Sequence, residues 1–185
     1  MKKRKNKLIF CIFFLILSSQ LVFCQNGFSF SSAKDIVGKT FVFPKEENIK
    51  FINNIETNQN GKGKIIILIH YTGCKCELTD LEKWDSIINT KEIWKKIPVY
   101  IIICNVCDYE DDVILNTIHS LNYKHDKYNL IIDTKLEFLK NNTISLNTIL
   151  NTYVIDNRNV IKYVGNPTIR KKELTDFLLA TDNLY

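Results

Sequence analysis

The chain has 185 residues, 45% of them hydrophobic and 24% charged, with a formal net charge of +5. That length supports one domain with a real hydrophobic core. Residues 1–24 hold five basic and no acidic residues, so the remainder carries 20 basic and 20 acidic ones and is near neutral. Nothing in the charge therefore argues for nucleic acid or an acidic partner.

Lys2-Lys3-Arg4-Lys5 opens the chain, and Leu8 to Leu17 is an unbroken apolar run. A basic start, a short apolar core and a small-residue boundary are the parts of a secretory signal. The core is shorter than the roughly 20 apolar residues a spanning helix needs, and an uncleaved N-terminal anchor is the alternative. Leu21-Val22-Phe23-Cys24 resembles a lipoprotein box in which Cys24 carries the lipid, although Phe23 stands where a small residue is usual. Cleavage after Cys24 reads equally well. Either way the protein is expected to be exported, periplasmic or anchored to the membrane facing outward. Its remaining cysteines, Cys74, Cys76, Cys104 and Cys107, then work where disulfides form.

Residues 25–58 read as a leader containing a short edge strand at Gly38–Pro44, and residues 59–185 as the folded domain. Gly61 and Gly63 mark a turn. Ile65 to Tyr71 is apolar except for His70 and does not alternate, the pattern of a parallel strand buried on both faces. Leu78, Leu81, Trp84, Ile87 and Ile88 recur at helical spacing, predicting a helix over 77–89. Val99 to Cys104 is a second strand. A helix is predicted over 111–122, a third strand over 129–133, and a short helix or irregular crossover over 138–146. Thr152–Asp156 and Val160–Val164, joined through Asn157-Arg158-Asn159, make an antiparallel hairpin. A last helix spans 171–180. The order is βαβαβ, a hairpin and a helix, which predicts an α/β fold with a mixed sheet covered on both faces.

The chemistry sits where Ile65–Tyr71 runs through Thr72-Gly73 into Cys74-Lys75-Cys76 and the next helix. A cysteine at a helix N-terminus gains from the N–H groups and the macrodipole, which favour the thiolate. This stretch, the later hairpin and Gly165-Asn166-Pro167 together resemble the thioredoxin-like family. The likeness covers roughly residues 36–180 and is nearest the exported thiol–disulfide oxidoreductase and redoxin branch. It implies that Cys74 attacks, Cys76 resolves, protein thiols are the substrates, and a membrane-bound thiol reductant supplies electrons. It implies no cofactor.

Three departures from the family pattern qualify that implication. The family's Cys-x-x-Cys is here Cys-x-Cys, with Gly73 in place of the preceding Trp. The smaller ring predicts a pair more oxidising than thioredoxin's. The family's cis-proline is replaced by Leu150 or Asn151. The buried acid that assists the resolving thiol is missing from Ile65–Tyr71, leaving His70, Glu77 or Asp80 as candidates for proton transfer. His70 also fits a half-buried strand position, and Glu77 fits a first-turn residue favoured by the helix dipole.

Cys104 and Cys107 stand at the end of the second strand, beside the first pair. They are candidates for a relay with Cys74 and Cys76. They also read as a structural disulfide, or as a buried small residue and a loop cysteine. Two other functions stay open. Thiolates suit copper or zinc, and the fold can also persist as a redox-inert structural module.

Overall fold

The computed structural model describes residues 33–55, 63–121, 127–142, 144 and 150–184. The signal-like segment with Cys24 lies outside these residues, as does most of the turn before the first apolar strand. A short helix α1 (Ala33–Ile36) precedes strand β1 (Lys50–Asn53). Strand β2 (Lys64–Tyr71) runs into helix α2 (Lys75–Leu78), which continues as α3 (Asp80–Thr90). Then follow β3 (Val99–Asn105), α4 (Asp111–His119), β4 (Asn129–Asp133) and α5 (Glu137–Asn142). The hairpin β5 (Thr152–Ile155) and β6 (Ile161–Gly165) leads to α6 (Lys171–Asp182).

The strands form one six-stranded sheet in the order β1-β4-β3-β2-β5-β6. Strands β2, β3 and β4 are mutually parallel, while β1, β5 and the β5–β6 pair are antiparallel to their neighbours. The isoleucine-rich sequences of β2 and β3 suit this role, because β-branched side chains pack well on a pleated surface. Alternate residues then feed two cores. Ile65, Ile67, Ile69 and Tyr71 face one core, with Leu81 and Trp84 of α3, Ile114 and Ile118 of α4, and Phe177 of α6. Ile66, Leu68, Ile102 and Cys104 face the other, with Phe41 and with Phe138 and Leu139 of α5. Each fully buried Ile or Leu contributes about 1.5–3 kcal/mol. Burial on both faces explains why Ile65–Ile69 of β2 is continuously apolar rather than alternating.

This topology gathers the loops at one edge. The crossovers β2-α3-β3 and β3-α4-β4 step in the same direction, so both helices lie on one face. The return from β4 passes over the other face through α5 and enters β5 beside β2. The ends of β2, β3, β4 and β6 and the start of β5 therefore share one edge of the sheet.

The stretch expected as an edge strand, Gly38–Pro44, meets the hairpin through an antiparallel bridge from Thr40 to Val160, flanked by the Gly38 N–H to the Ile161 carbonyl at 2.8 Å, the Ile161 N–H to the Lys39 carbonyl at 2.9 Å and the Phe41 N–H to the Asn159 carbonyl at 2.7 Å. Its Phe41 and Phe43 also join an aromatic cluster, with Phe43 and Phe138 ring centroids 6.0 Å apart. The far edge is held by β1, a four-residue strand too short for its alternation to stand out. The helix after β2 begins at Lys75, not at Glu77, which brings Cys76 inside its first turn.

Asp156 closes the hairpin. Its carboxylate accepts the N–H groups of Arg158 and Val160, both at 2.9 Å, and pairs with Lys162 at 3.0 Å. Burial pushes its pKa up, but the Val160 N–H, Lys162 and the Arg158 N–H together outweigh that and hold it below its ordinary 3.8. A carboxyl with a depressed folded pKa stabilises the fold above its unfolded value, and that contribution is lost as pH falls through the folded value. Asp156→Ala is expected to lower stability by about 1 kcal/mol at pH 7. Its deficit relative to wild type should shrink as denaturant melts are taken below pH 3.8. A deficit that stays constant down to the acid limb would refute the role of the ionised carboxylate.

Candidate active site

The site is built on the turn between β2 and α2. Gly73 has φ +102°, a left-handed conformation that glycine alone adopts freely. Cys74 follows in extended geometry and caps the helix, its Sγ accepting the Cys76 N–H at 3.2 Å. The Cys74 carbonyl accepts the Glu77 N–H at 3.1 Å, and the Cys76 carbonyl accepts the Thr79 hydroxyl at 2.6 Å. Thr79 itself keeps helical dihedrals, so α2 and α3 follow almost one helical path. Cys74 and Cys76 are joined in a disulfide, with Cα atoms 5.2 Å apart, and both residues are exposed. The same Cys76 N–H that meets Sγ in the disulfide is placed to meet a Cys74 thiolate.

The turn is strapped by the residue that follows the cysteines. Glu77 reaches back across the cysteines, its carboxylate accepting the Thr72 N–H at 2.6 Å and the Thr72 hydroxyl. Its structural employment is thus visible in the oxidised state. Asp80 pairs with Lys83 at 2.7 Å. His70 is half-buried, in register with Cys104, and shares the strand face of Ile66 and Leu68. It therefore lies on the face opposite the helix that carries Cys76.

The second pair separates. Cys104 and Cys107 are both free thiols, so the structure does not join them in the disulfide considered above. Cys104 is fully buried, and burial, reinforced by the neighbouring Asp133 carboxylate, pushes its thiol pKa well up. Cys107 is exposed on the loop that leaves β3. The structure brings one cysteine of that pair to the surface and keeps the other in the second core.

At the proline position, Asn151 is buried and its carbonyl accepts the Leu68 N–H at 2.7 Å, extending the β2–β5 pairing toward the site. The described residues contain no cis peptide bond. Among them no three His, Cys, Asp or Glu side chains converge as a metal-ligand set. No described helix is long and apolar enough to cross a membrane.

Three residues near this edge were not singled out from the sequence. Asn105, Tyr109 and Asp133 lie at or beyond strand ends. Buried Asp133 accepts the N–H groups of Glu137 and Phe138, both at 2.9 Å, and so starts α5. Burial raises its pKa. An Asp four residues before a helix and an Asn just after an apolar strand are turn signals, and both could have been found on that ground. Tyr109 carries no such signal.

No family model and no curated protein matches the chain. Solved structures do. Yeast Sco1 with copper bound matches at 15% identity and TM-score 0.53, over 81% of this chain and 94% of that one. The pneumococcal exposed lipoprotein thioredoxin Etrx1 from Streptococcus pneumoniae matches at 16% identity and TM-score 0.50, over 69% and 88%. A domain of a possible thiol-disulfide isomerase from Cytophaga hutchinsonii matches at 21% identity and TM-score 0.45, over 68% and 79%. The fold is thioredoxin-like, as the order of elements and the Cys turn implied.

Proposed function

We propose that this protein is an exported thiol–disulfide oxidoreductase that exchanges disulfides with protein thiols through Cys74 and Cys76. The observation that carries this reading is an exposed cysteine pair closed at a helix N-terminus, with Cys74 as the capping residue. In one direction a substrate thiolate attacks Cys74 Sγ and expels Cys76 as a thiolate. A second substrate thiol then breaks the mixed disulfide, leaving the substrate oxidised and both cysteines reduced. In the other direction the Cys74 thiolate attacks a substrate disulfide, and Cys76 displaces the product and closes the pair. Electrons from a membrane-bound thiol reductant would return the pair to the dithiol. Export is supported by the N-terminal signal pattern, and one structural neighbour is itself named an exposed lipoprotein. A relay through the second pair would run through Cys107, since Cys104 is buried with its thiol held protonated.

The test equilibrates the protein in glutathione redox buffers, alkylates the free thiols and locates them by mass spectrometry. Cys74 and Cys76 are expected to interconvert together, at a potential above about −270 mV, the thioredoxin value. A pair that never opens or never closes across the buffer range would end the oxidoreductase reading.

A copper-binding reading has one supporting observation, the likeness to a Sco1 structure that holds copper. Stoichiometric copper(I) retained by the reduced protein and lost in Cys74→Ser would favour it.

A further inference from the structure

Tyr109 stands on the loop that leaves β3, and its ring lies directly over Gly73. A Cβ added to Gly73 would fall 2.2 Å from the Tyr109 hydroxyl oxygen and 2.5 Å from Cζ. The ring is fixed from behind. Buried Asn105 donates from its side-chain amide to the Tyr109 carbonyl at 2.6 Å and accepts the Tyr109 N–H at 2.9 Å. The buried Tyr71 ring meets Tyr109 edge-on, centroids 5.6 Å apart. The Tyr71 hydroxyl in turn hydrogen-bonds the Thr117 hydroxyl of α4 at 3.4 Å, and its carbonyl accepts the Val106 N–H at 3.0 Å. A continuous set of contacts thus runs from α4 through Tyr71 and Tyr109 to the residue just before Cys74.

Tyr109 remains 38% exposed. Its contribution to the core is therefore small, and its distinctive contact is with the Cys turn. Gly73 is the freest joint in that turn, because glycine visits more backbone conformations than any other residue. In the dithiol form, nothing covalent holds Cys74 near Cys76. A ring resting on the Gly73 α-carbon narrows the conformations open to the joint and keeps the two sulfurs close. The effective concentration of one thiol for the other rises accordingly.

We infer that Tyr109 is a positioning residue whose ring, rather than its hydroxyl, presets the turn for closure of the Cys74–Cys76 disulfide. The inference rests on the exchange function proposed above. The equilibrium it acts on is balanced: the Cys74–Cys76 bond breaks, two glutathione thiols become glutathione disulfide, and two electrons with two protons pass to the protein as two thiols. With the ring removed, the disulfide form loses its advantage and the equilibrium moves toward the dithiol.

The experiment measures that equilibrium constant for the full chain, for Tyr109→Ala and for Tyr109→Phe. Tyr109→Ala is expected to shift it toward the dithiol by about threefold or more, and Tyr109→Phe to restore it, since the ring makes the contact. Thermal melts check folding, and Tyr109→Leu takes the place of Tyr109→Ala if the latter is unfolded, with the same expectation. An unchanged constant in Tyr109→Ala, beside a wild-type pair that interconverts normally, overturns the inference and leaves the oxidoreductase reading intact. A shift that Tyr109→Phe fails to restore also overturns it, by assigning the effect to the hydroxyl. A wild-type pair that never interconverts removes both.

Discussion

Cys74→Ser is expected to lower the rate of disulfide exchange with a protein substrate by about 10³-fold or more. The thiolate is the nucleophile of this chemistry, and a hydroxyl offers neither its charge at neutral pH nor its reactivity toward sulfur. Cys76→Ser should behave differently. It retains the attacking sulfur and the helix N–H at position 76, so the first step survives. The displacement step is lost, and the protein should accumulate as a mixed disulfide through Cys74. Non-reducing gels with peptide mass spectrometry read both outcomes. Cys74→Ser retaining more than about a tenth of wild-type exchange would place the attacking thiol elsewhere. A mixed disulfide found on Cys107 in the Cys76→Ser protein would identify Cys107 as the attacking residue.

The order of elements was legible because burial leaves a strong local mark. Ile65–Ile69 and Val99–Cys104 are continuously apolar, and the sheet buries them on both faces, Tyr100 only partly. The Cys turn was legible for a similar reason: a strand, a glycine and a helical period stand within a few residues of one another. The hairpin could be read from Asp156 and the residues after it, where a short polar turn separates two apolar runs. These features depend on neighbours in the chain.

What escaped depends on distant neighbours. Tyr109 reaches Gly73 only because β3 lies parallel to β2, which brings the loop after one beside the turn after the other. No local pattern in Cys107-Asp108-Tyr109 announces that contact. The fate of Cys104 was hidden for a related reason. Its position at a strand end suggested access to the site, but the alternation of side chains turns it into the second core beside Leu68 and Phe138. A shift of one residue in the strand would have reversed that outcome. The stretch Gly38–Pro44 shows both influences, since its first residues bond to the backbone of Asn159 and Ile161 while Phe41 and Phe43 meet the ring of Phe138.

Trp84→Ala is expected to destabilise the protein by about 3–5 kcal/mol. Trp84 is fully buried on α3, and its ring meets Phe177 of α6 edge-on with centroids 5.7 Å apart. Phe177 meets Tyr163 of β6 at 5.8 Å. The indole therefore fills the space in which the helix behind the Cys turn, the last helix and the hairpin come together. Truncation removes its apolar contacts and leaves a cavity that three anchored elements collapse into poorly. Against a typical total of about 5–15 kcal/mol, a loss of this size takes up much of the margin. The melting temperature should fall by about 10 °C. Trp84→Phe should be far milder. The buried Nε1 meets no hydrogen-bond acceptor among the described residues, so replacing it by carbon relieves an unsatisfied polar group while most of the ring contact remains. A loss below about 2 kcal/mol is expected for Phe. Denaturant melts of both variants decide the matter. If Phe costs as much as Ala, the indole nitrogen has a partner in solution and the packing account of this junction is wrong. If Ala costs under about 1 kcal/mol, α3 is held against the sheet by other contacts.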